Sequence, residues 1–314
     1  MSREIRKIGV TNCWLLLALI IIFAACNKSD KPPLKVFSSP DDAGNALLEA
    51  AKSGDQNVVL GIFGPESKEL IFSGDAVQDK ATVEAFGAAY QQMHRWRKMP
   101  DDAQILLIGA DNFAFPIPLK KKNATGQWFF DTVAGKDEIL ARRIGRNELA
   151  VIDVCGALAD AQAEYFAQSH QGGSTKQYAL KFISDSGTQN GLYWESPEGQ
   201  PKSPLGPLVA FASTEGYSTK PNSHVPYHGY YFHMLTKQGN HVPGGAKDYV
   251  VDGKMVGGFA FVAYPAEYRN SGVMTFTINQ DGVLLQKDLG KNTTETAAAM
   301  TEFDPDDSWS QVEE

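Results

Sequence analysis

The sequence has 314 residues, of which 43% are hydrophobic and 11% aromatic, and its formal net charge at pH 7 is −8. This composition excludes wholesale disorder, and the length is sufficient for two domains of ordinary size. The negative charge argues against nucleic acid and anionic lipid surfaces as partners.

The chain begins with the parts of a secretory signal. Arg3, Arg6 and Lys7 form a positive segment, and residues 14–25 are uninterruptedly apolar. Twelve apolar residues are too few for a membrane span, which needs about 20. Small residues, Ala24 and Ala25, close the segment as a signal peptidase requires.

The motif Phe-Ala-Ala-Cys at 23–26 resembles the lipobox of bacterial lipoproteins, with Phe in place of the more usual Leu. The resemblance implies a cleaved signal at 1–25, lipid attachment at Cys26 and a polar tether at 26–37. Asn27 resembles the default for sorting to the periplasmic face of the outer membrane. The alternative is an ordinary cleaved signal followed by a chance cysteine. Loss of the signal moves the net charge to about −10, because the signal carries three cations and one carboxylate.

Cysteine usage excludes an intramolecular disulfide framework in the mature chain. Cys13 leaves with the signal and Cys26 is the lipid site, so Cys155 remains alone. Cys155 lies in an apolar helical pattern, which predicts a buried, inert thiol.

Helices precede strands in residues 38–133, which we predict to be the first lobe. Ser39 can cap a helix that starts at Pro40 and stops at Gly54, and amphipathic segments follow at 58–63 and 83–93. Strands are predicted at 104–109, 112–119 and 127–132. Pro116 and Pro118 place the second of these strands at a sheet edge, because proline cannot donate to a ladder.

Helices on a curved antiparallel sheet make an α+β layer. The order of elements resembles the cone of the nuclear transport factor and ketosteroid isomerase superfamily, many of whose members enclose a pocket. Asp111, Asp131 and His94 form no motif, and we predict structural roles for all three.

A helical pattern at 134–168 opens the predicted second lobe, residues 136–309, before a tail at 310–314. Its length of about 50 Å predicts either a kink at Gly145 or Gly156 or a helix that runs past its own domain. An arginine cluster in this helix (Arg142, Arg143, Arg146) indicates either an anion site or a salt-bridged face.

After a predicted surface loop at 195–208, strands are predicted at 227–236, 257–265, 272–280 and 282–290. Gln-Asp-Gly at 280–282 predicts a hairpin between the last two strands. A long helix packed on an antiparallel meander resembles the globular domain of type IV pilins. The prepilin leader is missing, so polymerisation is not implied.

Several long sequence segments, which together span residues 37–309, resemble those of a known family. They include WFFDTVAGKDEILARRIGRNEL, HGYYFHMLTKQG, MVGGFAFVAYPAEYRNSGVMTFTINQDGVLLQKDLG and FDPDDSW. The chain resembles the bacterial family catalogued as domain of unknown function 2950. The resemblance brings no assigned activity and no catalytic residue.

Two groups of side chains are candidates for a site. Four histidines, His224, His228, His233 and His241, fall close together and raise a metal hypothesis, for which His228 and His233 are the best candidates. Their spacing favours scattered surface histidines, since His228 and His233 would point to opposite faces of one strand. The aromatic tract indicates strand core or a binding face, for which the candidates are Tyr230, Tyr231, Phe232, Tyr264 and Tyr268.

No nucleotide loop, nucleophile elbow or zinc motif is found in the sequence, and no cofactor is predicted. The sequence therefore predicts a non-enzymatic binding or envelope-assembly lipoprotein, held at the membrane by its lipid and with envelope proteins as partners. The alternatives are a small-molecule carrier that uses a pocket in the first lobe and an uncharacterised hydrolase or metal-dependent enzyme.

Overall fold

The structure is a computed structural model that describes residues 34–170, 175–197, 199–200, 202–218 and 225–313. The predicted signal, Cys26 and most of the predicted tether lie outside these residues, as does His224. Within the described part of the chain, no helix combines the length and the apolar character needed to pass through a membrane.

Helices and mainly antiparallel sheets make up the described chain, which confirms the predicted α+β class. The helices are α1 (Pro40–Ser53), α2 (Gln56–Phe63), α3 (Lys68–Ile71), α4 (Ala76–Gln92), α5 (Thr132–Ala167), α6 (Gly206–Glu215) and α7 (Thr293–Ala298). The strands are β1 (His94–Lys98), β2 (Gln104–Ile108), β3 (Phe113–Ala114), β4 (Leu119–Lys121), β5 (Trp128–Phe130), β6 (Tyr230–Leu235), β7 (Lys237–Gln238), β8 (Lys247–Asp248), β9 (Val250–Val251), β10 (Lys254–Met255), β11 (Ala260–Pro265), β12 (Thr275–Asn279), β13 (Leu285–Lys287), β14 (Glu302–Phe303) and β15 (Ser310–Gln311).

Local signals set both ends of α1 as predicted. The Ser39 hydroxyl accepts a hydrogen bond from the backbone N–H of Asp42 at 3.1 Å, and Pro40 occupies the first turn. Gly54 ends the helix with a φ of +63°, a left-handed conformation that glycine adopts without a steric penalty.

The first sheet has the order β1-β2-β4-β5, with β3 also paired to β2. The segment at 112–119 is divided between β3 and the start of β4, because Pro116 and Pro118 interrupt the ladder between them. The predicted edge position is wrong for β4, which lies between β2 and β5, whereas β3 pairs with β2 alone. One edge of the order is β1, a strand that the sequence pattern does not predict.

Helix α5 spans 36 residues, or about 54 Å, and continues through both Gly145 and Gly156. Ile139 packs against a hydrophobic cluster that includes Phe63 and Phe130, and Val151 belongs to a second cluster around Tyr230. The same helix therefore contributes to two cores. No sheet among the described residues combines strands from both sides of α5.

The largest sheet after α5 has the order β15-β13-β12-β11-β6, and its neighbouring strands are antiparallel. The predicted hairpin at 280–282 is confirmed: Gly282 has a φ of +76°, and its N–H donates to the Asn279 carbonyl at 3.0 Å. The predicted surface loop ends early, because α6 begins at Gly206 with Pro207 in its first turn.

Below, the first lobe means α1–α4 with the sheet β1–β5, and the second lobe means the described residues after α5. The division into two folding units stays a prediction, since residues 34–313 fall within one compact unit.

Candidate functional site

The aromatic candidates lie on two faces of the second-lobe sheet. Tyr230 is fully buried on the face that packs against α5, and the alternation along β6 places Phe232 on the same face. Tyr231 and Tyr264 are direct cross-strand partners on the other face, with ring centroids 5.8 Å apart. Tyr268 follows β11 and donates to the Asp288 carboxylate at 3.1 Å. Tyr230 is therefore inaccessible to a ligand that arrives from solvent.

A polar segment after α7 partly covers the face that carries Tyr231 and Tyr264. His233, on this face, donates through Nε2 to the carbonyl oxygen of Met300 at 2.9 Å. Between this segment and the strands lies a cavity of about 310 Å³, lined by Leu235, Thr277 and Trp309 among others. Thr277 already donates to the Phe261 carbonyl and Asp304 accepts from His241, while the other polar lining residues are Thr296, Thr301 and Glu302.

His228 and His233 do not share a strand, because β6 begins at Tyr230 and His228 precedes it in a turn with a φ of +49°. Burial lowers the pKa of both imidazoles. Among the described residues, no group of three or more His, Cys, Asp and Glu side chains could hold a metal ion.

The turn at His228 forms a buried network with the start of α4, which we call the junction network. It comprises Asp75, Glu215, Tyr217, Tyr227 and His228. Tyr217 donates its hydroxyl to Asp75 Oδ2 at 2.7 Å, and the backbone N–H of Gly229 reaches the same oxygen at 3.3 Å. The other oxygen of Asp75 caps α4 through the N–H groups of Val77 and Gln78.

Burial and the neighbouring carboxylates raise the pKa of the tyrosines in the junction network. Burial raises the pKa of Tyr217, and the hydrogen bond to Asp75 raises it further. Burial also raises the pKa of Tyr227, with a smaller effect from Glu215. Both phenols are therefore neutral donors at physiological pH, and the arrangement stabilises a contact between the lobes rather than presenting a base to solvent.

The middle of α5 makes a second set of contacts between the lobes. The Arg143 guanidinium, 5% exposed, donates to the carbonyl oxygen of Leu70 at 2.5 Å and to the Asn270 side chain. Arg142 instead pairs with Glu138 at 2.6 Å and donates to the Ala114 carbonyl, while Arg146 is exposed. The three arginines therefore do not converge on one anion site.

A groove of about 550 Å³ crosses the helices of the first lobe; we call it the helical groove. Residues of α4 line it at spacings of three and four, from Ala76 through Val83 and Gly87 to Gln91. Its other wall comes from α1, α2 and the segment before α4, and includes Ala51, Val59 and Phe72. The groove therefore extends along about 22 Å of α4.

Apolar side chains lie on two sides of α4. Phe86, Ala89 and Tyr90 pack into the first-lobe core, whereas Val83 and Gly87 face the groove. A helix that is apolar on two sides usually has both sides covered. Asp79, at the side of the groove, accepts hydrogen bonds from the Ser73 N–H and hydroxyl, and burial raises the pKa of its carboxyl.

Cys155 and the predicted acidic candidates have structural environments. Cys155 is 1% exposed, and burial raises the pKa of its thiol to about 12, which confirms the predicted inert thiol. Asp131 caps α5 through the N–H of Ala134 and pairs with Lys120 at 3.0 Å. His94 stacks on Tyr90 at 4.0 Å, and Asp111 is exposed in the turn before β3.

These features define an α+β protein in which one long helix joins a helix-covered sheet to an antiparallel meander. A family model described as protein of unknown function (DUF2950) matches residues 34–312, so the chain belongs to this family, as the sequence predicts. Neither a curated protein nor a solved structure matches the chain.

Sequence reasoning missed the junction network and the helical groove for different reasons. Asp75 followed by Gln78 is a capping-box pattern, so the start of α4 was detectable. Its partner Tyr217 lies 142 residues away, and nothing local signals that pairing. The helical groove can be predicted only when it is known which face of α4 packs into the core.

Proposed function

We propose that the mature protein is an exported bacterial lipoprotein, anchored through Cys26 to the periplasmic face of the outer membrane, that binds a partner protein of the envelope without catalysing a reaction. The apolar segment that ends in Phe-Ala-Ala-Cys supports the anchor. The family match begins at residue 34, after the signal and nearly all of the tether, which agrees with a folded part that starts there.

The helical groove is the observation that carries the binding function. Its volume lies within the range of about 300–1,000 Å³ that ligand sites occupy. Its length along α4 equals about four helical turns, which suits an elongated occupant. Small residues in its wall, Ala76, Gly87 and Ala88, allow another backbone to approach closely.

The occupant that fits these dimensions is an amphipathic helix of a partner protein. Such helices dock by residues spaced at i, i+3, i+4 and i+7, which is the spacing of the groove wall on α4. The rim carries both signs of charge, Lys80 and Glu84 at 3.8 Å from each other and Lys52 across the groove. The partner helix would therefore present an apolar face flanked by polar residues of both signs.

A photoreactive amino acid at Val83, inside the groove, tests this function in intact cells. The control position is Ala85, which is exposed and outside the groove. We expect one defined envelope protein to crosslink from position 83 and not from position 85. The captured segment, made as a peptide, should bind the purified protein and become helical on binding.

A Gly87→Leu variant shows whether the groove itself is responsible. A Cβ at Gly87 lies 3.7 Å from the Cβ of Ala51, which is ordinary contact, so the added side chain narrows the groove without a backbone clash. We expect the crosslink and the peptide affinity to fall at least about tenfold. Equal crosslinking from both positions, or full peptide binding by Gly87→Leu, would reject the groove as the binding site.

A second candidate function is the small-molecule carrier, because the same groove volume also suits a drug-sized apolar molecule. Mass spectrometry of the protein purified from its native membrane distinguishes the two functions. An apolar molecule retained by the wild type and lost in Gly87→Leu, without a crosslinked protein, would favour the carrier.

The anchor has its own test. Cys26→Ser should abolish incorporation of labelled fatty acid and release the protein from the membrane fraction. Unchanged labelling would show that the lipid assignment is wrong.

A further inference from the structure

The two layers of the first lobe carry charges of opposite sign. The helical layer, residues 40–92, has nine carboxylates and three lysines. The sheet, residues 94–130, has six lysines and arginines and three aspartates. A chain with a net charge of −8 thus has a cationic sheet behind an anionic helical layer, and the average charge conceals this separation.

Most of the cations of the sheet lie along the edge strand β1 or beside the turns that follow β1 and β4. We call this group the cationic sheet end, and it comprises Arg95, Arg97, Lys98, Lys121 and Lys122. Arg95 and Arg97 project from the edge strand β1, are exposed, and form no ion pair with any described residue. Lys98 pairs with Asp102 in the next turn at 2.5 Å.

Strand register brings the two hairpin turns together at this end. Gln104 pairs with Lys98 on one side and with Leu119 on the other, so the β1–β2 turn and the β4–β5 turn point the same way. The hydrogen bond from Lys98 lowers the pKa of Asp102, and the charge of Lys121 lowers it further, because both ammonium groups are near that carboxyl. Asp101 and Asp102 are the only carboxylates of the two turns, so positive charge dominates.

Aromatic rings accompany these cations. Lys121 Nζ lies 5.6 Å from the centroid of the Trp128 ring, and Lys122 Nζ lies 5.8 Å from that of Phe129. Trp96, between Arg95 and Arg97 in sequence, projects from the opposite face of β1 and packs against the first-lobe core, so the rings available at this surface are those of Trp128 and Phe129. Tryptophan with lysine and arginine is the combination that membrane–water interfaces favour.

Covalent geometry places this sheet within reach of the proposed lipid anchor. The backbone of Phe37 pairs with Trp128, so the chain enters the described fold on the first sheet. Phe37 follows Cys26 by eleven residues, which span at most about 40 Å. Electrostatic attraction to a charged surface falls off within about 8–10 Å, so only a surface that the tether brings near can act on these side chains.

We propose that the cationic sheet end docks on the anionic phospholipid headgroups of the leaflet that holds the anchor. The docking rests on the proposed anchoring at Cys26, which keeps the sheet close to that leaflet. Lysine and arginine side chains near an anionic surface are each attracted to it. The anionic helical layer is repelled by the same surface, so the helical groove faces away from the membrane and stays open to a partner.

Vesicle binding by the full mature chain with Cys26→Ser tests the docking without help from the acyl chains. The probes are vesicles of phosphatidylcholine alone and vesicles in which about one third of the lipid is phosphatidylglycerol. The test variant changes all five residues of the cationic sheet end to Gln. The matched control changes five exposed lysines of the second lobe to Gln, namely Lys176, Lys237, Lys247, Lys254 and Lys291.

We expect binding to the anionic vesicles only, weakened by added salt, lowered at least about tenfold in the test variant and nearly unchanged in the control. Arg95→Lys with Arg97→Lys should retain binding, because charge and not guanidinium geometry is required. Circular dichroism checks that each variant is folded.

Several outcomes would overturn the docking. One is equal binding of the Cys26→Ser chain to neutral and anionic vesicles, and another is an equal loss of binding in the test and control variants. The others are no vesicle binding by the folded Cys26→Ser chain and binding of double-stranded DNA in place of vesicles. The acyl-labelling test on native Cys26 is independent of all of these. A failure there rejects the anchor, whereas a failure here rejects only the docking surface.

Discussion

The two lobes differ in how much of their sheets is covered by other elements. The second-lobe sheet packs against α5 on one face and against α7 and the following segment on the other, and β11 is buried along nearly its whole length. The first-lobe sheet is covered by helices on one face and leaves β1 exposed as an edge strand. The open surfaces suited to partners therefore lie mostly in the first lobe, although the denser aromatic tract lies in the second.

This difference shows what aromatic density in a sequence indicates. Tyr230 and Phe261 lie in strands that are covered, and both rings are fully buried. The sequence HRWRK of β1 carries a single aromatic residue, yet it forms the exposed edge. Richness in aromatic residues therefore predicts a core position when the strand is central. Recognition surfaces are expected where no helix or other segment covers the sheet.

The largest expected effect tests whether the two cores are independent. Phe130→Ala in the first lobe and Phe261→Ala in the second should each lower the free energy of unfolding by about 3–5 kcal/mol, because both rings are fully buried. Since α5 belongs to both cores, we expect each variant to shift one shared transition in urea. Two separate transitions, with only one shifted by each variant, would show that the lobes unfold independently.

Arg143 should contribute much of the energetic coupling between the two lobes. Arg143→Met removes charged hydrogen bonds to Leu70 and Asn270 and should cost about 3 kcal/mol in urea unfolding. Arg142→Met, one residue earlier, removes a partly exposed pair with Glu138 and a hydrogen bond to the Ala114 carbonyl, and should cost less, about 1–1.5 kcal/mol. Similar losses in the two variants would contradict a special role for the buried guanidinium.

The junction network should contribute less. Tyr217→Phe removes the hydroxyl that donates to Asp75 and leaves part of that buried carboxylate without a donor, at a cost of about 2 kcal/mol in thermal or urea unfolding. Tyr231→Phe is the control, because the half-buried Tyr231 lies on the covered face of the second-lobe sheet, away from the network. Equal stability of Tyr217→Phe and wild type would show that Asp75 is satisfied by its backbone donors alone.

Acidification should lower the free energy of unfolding, because His228 and His233 in the second lobe become protonated more easily in the unfolded chain. Burial lowers the pKa of both in the folded state, so the unfolded chain takes up protons first as the pH falls below about 6.5. Their contribution to stability is therefore present above that pH and is lost progressively as the pH falls below it. Around His228, Glu215 and Asp75 oppose the shift and Arg146 adds to it.

His228→Asn, which tolerates the positive φ, should flatten the pH dependence of unfolding measured between pH 7 and 5. His241→Gln should instead steepen it, because the hydrogen bond that His241 donates to Asp304 raises the pKa of this imidazole in the folded state. An unchanged slope in His228→Asn would show that this imidazole titrates alike in the folded and unfolded chain.

The smallest expected effect is a gain. Gly87→Ala should raise the free energy of unfolding by about 0.5–1 kcal/mol, because alanine loses less backbone entropy in a helix than glycine does. The same change should lower affinity for the partner peptide, since the new methyl group enters the groove. Calorimetry and peptide titration would separate the two effects, and a gain in both quantities would contradict the groove assignment.

Local signals in the sequence predicted much of the fold. Ser39, Pro40 and Gly54 delimited α1, and alternation with Gln-Asp-Gly located the β12–β13 hairpin. The prolines of 112–119 indicate an edge strand in the sequence, because the alternative, one strand divided in two, depends on pairing with β2 from elsewhere in the chain.

The surfaces were harder to predict than the elements. The net charge argued against anionic partners, but it sums over layers of opposite sign that separate only when the chain folds. The metal hypothesis for the histidines depended on proximity in sequence, and the structure gives His228 and His233 different neighbours. Side chains far apart in sequence, such as Asp75 and Tyr217, meet through tertiary packing that no local pattern encodes.

The continuity of α5 has a consequence for how the protein is made. A chain is synthesised amino-terminus first, so the helices and sheet of the first lobe leave the ribosome before Ile139 does. Because Ile139 packs into the first core and Val151 into the second, the first core reaches its final packing only as this helix emerges. We therefore expect folding to proceed from the first lobe to the second, with the carboxyl-terminal half of α5 in place before the later strands are complete.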